Sequence, residues 1–329
     1  MVANAKRRVF LVLALLLVAA VVLWHLAISA SPRTVSKPRI TTKPTAVEPE
    51  SREKSKIDDA TPATQKASNP TTLNGYTSVL DSSRPLQMNC VTCSLVSSSG
   101  RILDQSKGDE IDGADCVIRM NAAPVKGYEI DVGRRTTLRV LSQFSVPYAL
   151  NRAQNLIDEK LEYFAAWGAE QHLGDNTPKG KAMIETAKKI PDIGFYRVTP
   201  KYYWYQDEIF QKATGKPRQQ SGTWLSTGWF TFDVIKLACK RTKVYGKVYG
   251  MIPEDFCLDP NAPKAFYHYW ERSAGDECSY YKGMENRHSG AHRFMTEKAI
   301  FAQWAITHNI TFHSPEWDPR KHTEAHHNF

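Results

Sequence analysis

The sequence holds no Asp-x-Asp pair anywhere in its 329 residues. It also lacks any run of His, Cys and carboxylate residues at metal-ligand spacing. These absences remove the usual sequence evidence for a divalent-cation centre, so no metal is expected. The two Glu-x-Asp triplets, Glu110-Ile111-Asp112 and Glu129-Ile130-Asp131, are read as structural. A second long apolar run is missing too. Only Val9–Ala30 is long enough to cross a bilayer, which excludes a multi-span protein. Nor is there a basic excess where a nucleic-acid binder carries one. The formal charge is +9, yet residues 1–85 hold 12 Lys/Arg against 6 Asp/Glu, and the other 244 residues hold 31 against 28. The excess sits in the tail, so nucleic acid is not an expected partner.

Within Val9–Ala30 the one ionisable residue is His25, and Lys6, Arg7 and Arg8 precede the run. The run is longer than a typical signal-peptide core. An uncleaved anchor over 9–30 is therefore favoured over a cleaved leader, for which Ala27–Ala30 is the competing processing site. Basic residues lie on both flanks and do not fix orientation. Residues 31–85 are rich in Ser, Thr, Pro and Lys and poor in large apolar side chains. Such a stretch cannot bury a core and reads as a disordered stem. One folded domain is left, over 86–329.

That domain alternates strand and helix signals. Ser94–Val96 ends a buried strand, Ser97–Gly100 forms a turn, and Arg101–Ser106 is a candidate helix. Cys116–Met120 is a second strand, ended by Asn121 and the Ala123-Pro124 turn; Thr136–Leu141 is a third. Helices are expected over Tyr148–Lys160, Lys179–Lys189 and Lys201–Ala213, and strands over Leu161–Trp167 and Asp192–Val198. The pattern predicts an α/β fold with a mostly parallel sheet flanked by helices, and a ligand edge at the strand ends. Ser226-Thr227-Gly228 opens an amphipathic run whose first N–H groups suit an anion; simple capping by Ser226 or Thr227 is the bland alternative. The aromatic run Tyr202–Tyr205 reads as packing rather than as a sugar platform. Asn309-Ile310-Thr311 is the one clean glycosylation sequon, since proline blocks Asn69-Pro70-Thr71.

The long arrangement is far more specific. Cys93, the Ser-Ser-x-Gly turn, Ile111-Asp112, Arg119-Met120-Asn121, Ala123-Pro124, Gly127 and Asp131-Val132-Gly133 together resemble the large sialyl motif of animal-type sialyltransferases. Thr223-Trp224-Leu225-Ser226-Thr227-Gly228-Trp229-Phe230-Thr231 resembles the small motif. Its wording is closest to the GalNAc α2,6-sialyltransferase subgroup that acts on sialyl-α2,3-Gal-β1,3-GalNAc acceptors. Tyr267–Glu271 resembles the third motif, and His292-x4-Glu297 the very short one. One departure is a duplicated KVYG, at 243–246 and 247–250, which leaves the strand register there open.

The resemblance covers about Leu86 to Pro319. It implies a Golgi type II membrane enzyme, with 1–8 cytoplasmic and the catalytic domain lumenal. It also implies a single Rossmann-like glycosyltransferase domain that uses CMP-sialic acid and inverts the anomeric carbon. The donor leaves as a nucleoside monophosphate, which hydrogen bonds and a helix terminus can stabilise without metal. By the same resemblance His292 is the base for the acceptor hydroxyl and His268 contacts the phosphate. Ser226, Thr227 and Gly228 hold the sialic acid carboxylate or nearby groups, and Ser98 and Asn121 contact the CMP part. Ser289 is expected to cap a helix running through His292, whose dipole would keep that imidazole neutral. Glu297 is read as structural. Cys93 is implied to pair with Cys239 and Cys257 with Cys278, while Cys90 and Cys116 are either paired or free. The acceptor is a sialylated Gal-GalNAc glycolipid or glycoprotein. Rival readings are an α2,3 or α2,8 linkage, which the wording around Ser226 opposes, and a non-catalytic membrane lectin or scaffold, which the two intact histidines oppose.

Overall fold

The computed structural model describes residues 69–151, 160–239 and 246–322. The expected anchor and most of the expected stem lie outside them, as do residues 152–159 of the expected Tyr148–Lys160 helix; Val146–Asn151 is helical and Lys160 is in a turn at φ 65°. Among the described residues no helix is long and apolar enough to cross a membrane.

The strands are β1 (Thr71–Ser78), β2 (Pro85–Met88), β3 (Cys93–Val96), β4 (Cys116–Met120), β5 (Leu138–Ser142), β6 (Tyr163–Trp167), β7 (Gly194–Val198), β8 (Gly246–Tyr249), β9 (Phe266–His268), β10 (Glu271–Asp276) and β11 (Ile310–His313). Nine of them form one sheet in the order β11-β8-β3-β4-β5-β6-β7-β1-β2. From β11 to β7 every pairing is parallel. Strands β3, β4 and β5 are buried at every position, as parallel strands covered on both faces must be. Strands β1 and β2 add an antiparallel edge. β1 corrects the expected stem boundary at residue 85: Leu73 and Tyr76 are buried in the core, so the folded chain has begun by Thr71.

The longer helices are α1 (Pro178–Lys189), α2 (Pro200–Thr214), α3 (Thr227–Ala238), α4 (Glu277–Glu285) and α5 (Phe294–His308). Helices α1 and α2 both open on Thr-Pro, with the threonine hydroxyl accepting from a first-turn N–H and the proline where its missing N–H costs nothing. The expected helix Arg101–Ser106 is instead a short 3-10 turn, Gly100–Ile102, because Asp104 and Ser106 take positive φ values of 62° and 52°. Helix α3 is apolar nearly all round and lies buried, with Trp229, Phe230 and Phe232 fully enclosed. The Phe232 ring stacks on Phe301 of α5 at 4.7 Å. Of the aromatic run on α2, Tyr203 packs in the core and the Tyr202 hydroxyl donates to Asp233, whereas Trp204 and Tyr205 are exposed.

Three disulfides are present: Cys93–Cys239, Cys257–Cys278 and Cys90–Cys116. Cys93 opens β3 and Cys239 closes α3, so the bond ties the helix end to the amino-terminal edge of the sheet. The second KVYG copy supplies β8, which pairs in parallel with β3 and β11 without a break in register. The first copy lies outside the described residues apart from Gly246. Asn309 follows α5 as its cap at φ 50°, in the left-handed region that asparagine tolerates.

Candidate functional site

The carboxyl ends of β3, β4, β5, β6 and β8 converge on one cavity of about 270 Å³. Strand order reverses at β3, which has β4 on one side and β8 on the other; such a switch point leaves a crevice above the strand ends. Ser98, Asn121, Thr227, Gly228, His268 and His292 all line the cavity, as do Ser226 and Glu297. Residues from four separate stretches of sequence thus meet in one place.

The serine turn joins the two strands at the switch point. Ser97 Oγ donates to the Gly250 carbonyl at 2.8 Å. A Cβ on Gly100 would lie 2.8 Å from the Phe266 backbone nitrogen, so only glycine lets the β9–β10 hairpin come this close. Tyr269 N–H then donates to the Ser98 carbonyl at 2.9 Å. These contacts set His268, one residue earlier, above the serine turn. His268 Nδ1 lies 2.6 Å from a Glu271 carboxylate oxygen, and its ring stacks on Trp270 at 4.5 Å. Glu271 is a partner the sequence reading does not assign; its spacing three residues after His268 was the available signal.

Asn121 sits at the end of β4 with φ 47°. The buried Arg139 guanidinium holds that turn by donating to the carbonyls of Asn121 at 3.1 Å and Ala123 at 2.8 Å. Asn121 Oδ1 accepts from Ser142 N–H at 2.9 Å, and its Nδ2 donates to Thr227 Oγ1 at 3.3 Å. Trp167 Nε1 donates to the same hydroxyl at 3.2 Å. The start of α3 is therefore pinned to the ends of β4 and β6.

Ser226 is the N-cap of α3: its Oγ accepts from Trp229 N–H at 3.1 Å. Its own N–H donates to Glu297 Oε1 at 2.9 Å, and its hydroxyl donates to Glu297 Oε2. The Ser226 side chain is thus engaged within the protein, so direct contact with a ligand is left to its neighbours. Among the described residues the backbone N–H groups of Thr227 and Gly228 have no partner, and they stand at the positive end of α3. Burial pushes the Glu297 carboxyl up to about 8 against the pull of the two Ser226 hydrogen bonds.

His292 does not lie in the first turn of a helix. Helix α5 starts at Phe294 with Arg293 as its cap, and Ser289 does not cap it. The reason is a non-local bridge. Trp224 N–H donates to the Ala291 carbonyl at 2.9 Å, and Trp224 pairs with His292 as an isolated parallel bridge, which holds that backbone extended. His292 Nδ1 lies 2.9 Å from the Trp224 carbonyl. A carbonyl only accepts, so Nδ1 carries the proton and Nε2 keeps its lone pair. Burial lowers the His292 pKa, with the Trp224 hydrogen bond opposing. What favours the neutral imidazole here is desolvation, not the helix dipole the sequence suggests. Among the described residues no group of three or more His, Cys, Asp or Glu is placed to hold a metal ion.

Residues 50–307 match glycosyltransferase family 29 (sialyltransferase). The human alpha-N-acetyl-neuraminyl-2,3-beta-galactosyl-1,3-N-acetyl-galactosaminide alpha-2,6-sialyltransferase is 39% identical over 252 residues, 75% of this chain and 82% of that one. The human alpha-N-acetylgalactosaminide alpha-2,6-sialyltransferase 3 is 42% identical over 247 residues, 74% of this chain and 79% of that one. A crystal structure of a mammalian sialyltransferase in complex with Gal-beta-1-3GalNAc-ortho-nitrophenol is 17% identical, covers 68% of this chain and 70% of its own, and has a TM-score of 0.43.

Proposed function

The chain belongs to glycosyltransferase family 29, the sialyltransferases, and on that premise we propose that it transfers sialic acid from CMP-sialic acid to the 6-hydroxyl of a GalNAc residue. The acceptor is a sialylated Gal-GalNAc glycan on lipid or protein. The names of the two human relatives support the linkage and the sugar. The observation that carries the reading is the geometry of His292. The Trp224 carbonyl places a proton on Nδ1, and burial favours the neutral form. A neutral imidazole with a free Nε2 on the cavity wall is what removal of a proton from a sugar hydroxyl requires.

The rest of the cavity suits the donor. The Thr227 and Gly228 N–H groups at the start of α3 offer an anion site for the sialic acid carboxylate or the phosphate beside it. Ser226 holds that helix start in place. His268, tethered by Glu271, faces the departing phosphate, and Ser98 and Asn121 take the CMP part. Attack by the hydroxyl oxygen on the anomeric carbon forms the new C–O bond as the bond to the phosphate oxygen breaks, with inversion. His292 takes the hydroxyl proton and CMP leaves with the bonding pair. Donors of this kind stabilise the leaving charge in a site whose only lining carboxyl group among the described residues, Glu297, is already engaged by Ser226.

We place the chain in the Golgi membrane as a single-pass type II protein, with 1–8 cytoplasmic, 9–30 the anchor, a stem running to about residue 70, and the catalytic domain lumenal. The test of function is direct. The full chain is incubated with CMP-sialic acid and a sialyl-α2,3-Gal-β1,3-GalNAc acceptor, and product linkage is determined. An α2,6 bond to GalNAc is expected; a bond to galactose or to the existing sialic acid refutes the linkage, and no transfer to any glycan refutes the function.

A further inference from the structure

Lys298 is 5% exposed and lines the same cavity. Its Nζ has one hydrogen-bond acceptor, the Ile252 carbonyl at 3.3 Å, and lies 4.6 Å from the centre of the Tyr281 ring. Among the described residues it forms no ion pair. The acidic groups that act on it, Glu277, Glu297 and the buried Glu254, form no ion pair with it; Glu277 accepts from Arg101 Nε at 2.8 Å and from the Tyr281 hydroxyl at 2.7 Å, and Glu297 accepts from Ser226. A buried ammonium has three N–H donors to satisfy, and leaving them bare costs far more than burying a methylene chain. Burial accordingly lowers the Lys298 pKa to about 8. A cation placed at such cost on the wall of a ligand cavity points to an anion that completes its coordination when bound.

The surroundings say which anion. Ile252 follows β8 by three residues, two after Gly250, whose carbonyl accepts from Ser97 Oγ in the serine turn. On the other side the rings run in sequence: Tyr281 lies 5.8 Å from Tyr267, and Tyr267 lies 4.4 Å from His268. Lys298 therefore shares a wall with the β9–β10 hairpin and His268. We propose that Lys298 binds the phosphate of the nucleotide donor, as a positive group that acts beside His268 to hold the phosphomonoester as it departs. The inference rests on the transfer reading above and adds to it a binding residue outside the four motifs.

The test uses the full chain and two substitutions, K298M and K298R, with calorimetric titration of CMP and of cytidine. Cytidine lacks the phosphate and keeps the rest. Loss of a charge-assisted hydrogen bond should weaken CMP about 10- to 100-fold in K298M and leave cytidine unchanged, with part of the CMP affinity restored in K298R. Methionine keeps the packing against Tyr281, so K298M should melt no lower than wild type; replacing an unpaired buried charge by an apolar chain is neutral or stabilising. Equal weakening of both ligands, or a lower melting temperature with the CMP-to-cytidine ratio unchanged, assigns Lys298 a structural role and overturns the proposal. Unchanged CMP affinity in K298M overturns it too, including the case where only CMP-sialic acid weakens and the carboxylate is the partner. A wild-type chain that binds neither CMP nor CMP-sialic acid removes the transfer reading, and this inference with it.

Discussion

Ser226 and Glu297 stand 71 residues apart in sequence and meet through two hydrogen bonds, the Ser226 N–H to Oε1 at 2.9 Å and the Ser226 hydroxyl to Oε2. The serine caps α3 and the glutamate lies in the first turn of α5, so one contact registers the anion-binding helix start against the element that follows His292.

The pH dependence of stability should report this contact. The Glu297 carboxyl is at about 8 in the folded chain, against an ordinary value of 4.5. Between those values the folded state holds a proton that the unfolded state has lost, so stability falls as pH rises across the window. In E297Q that part of the slope should vanish in urea titrations between pH 5 and 8. A slope equal to wild type would show that Glu297 titrates normally. S226A, by contrast, should lower stability by about 1 kcal/mol through loss of the cap and leave the slope in place.

His292→Ala should reduce kcat by about 10² to 10⁴, the usual contribution of a general base, while CMP affinity changes little. His268→Ala should weaken CMP binding along with turnover. The acidic limb of the kcat/KM profile reports the free His292 imidazole and should be absent from the His292 variant. Near-normal turnover with an unaltered profile would return the base assignment to His268 or to a bound water.

Activity is expected to survive EDTA. The motive is the missing Asp-x-Asp pair and a cavity wall of N–H groups, imidazoles and a lysine. Loss of activity in chelator, with recovery on adding manganese, would refute metal-free transfer.

The Cys93–Cys239 bond closes a loop of sequence separation 146. Replacing both residues by serine should cost on the order of 4 kcal/mol if constraint of the unfolded chain dominates, read from urea midpoints. A loss below about 1 kcal/mol would mean that the packing of α3 already fixes this end of the helix.

Much of this fold was legible because its signals are local. Cys116–Met120 and Leu161–Trp167 are apolar runs of strand length, and Thr199-Pro200 and Thr177-Pro178 announce helix starts. The Ser97–Gly100 turn reads correctly for the same reason, and Ser226 caps α3, the alternative to its expected ligand contact. What the sequence hid depends on distant partners. His292 sits outside its helix because Trp224, far back in the chain, takes its backbone into a bridge. The Ser226 hydroxyl is spent on Glu297, which no local pattern reveals. Strand β1 passed for stem because Thr71–Ser78 is mostly small and polar, and only Leu73 and Tyr76 betray its burial. The Arg101–Ser106 helix failed at Asp104 and Ser106, where the backbone turns left-handed.

The strand order has a consequence for the chain as it emerges from the ribosome. β1 is made first, yet one of its two partners is β7, which ends at Val198. The outer strand β11 and helix α5 come last, and with them His292, Glu297 and Lys298. A nascent chain can lay β3 to β7 side by side and dock α3, and still have no base, no clamp on Ser226 and no cation beside the serine turn. Catalytic competence therefore belongs to the finished chain alone, and we expect release-stalled chains ending before residue 292 to resist protease across β3–β7 while transferring no sugar; transfer by such a chain would show that the base lies elsewhere.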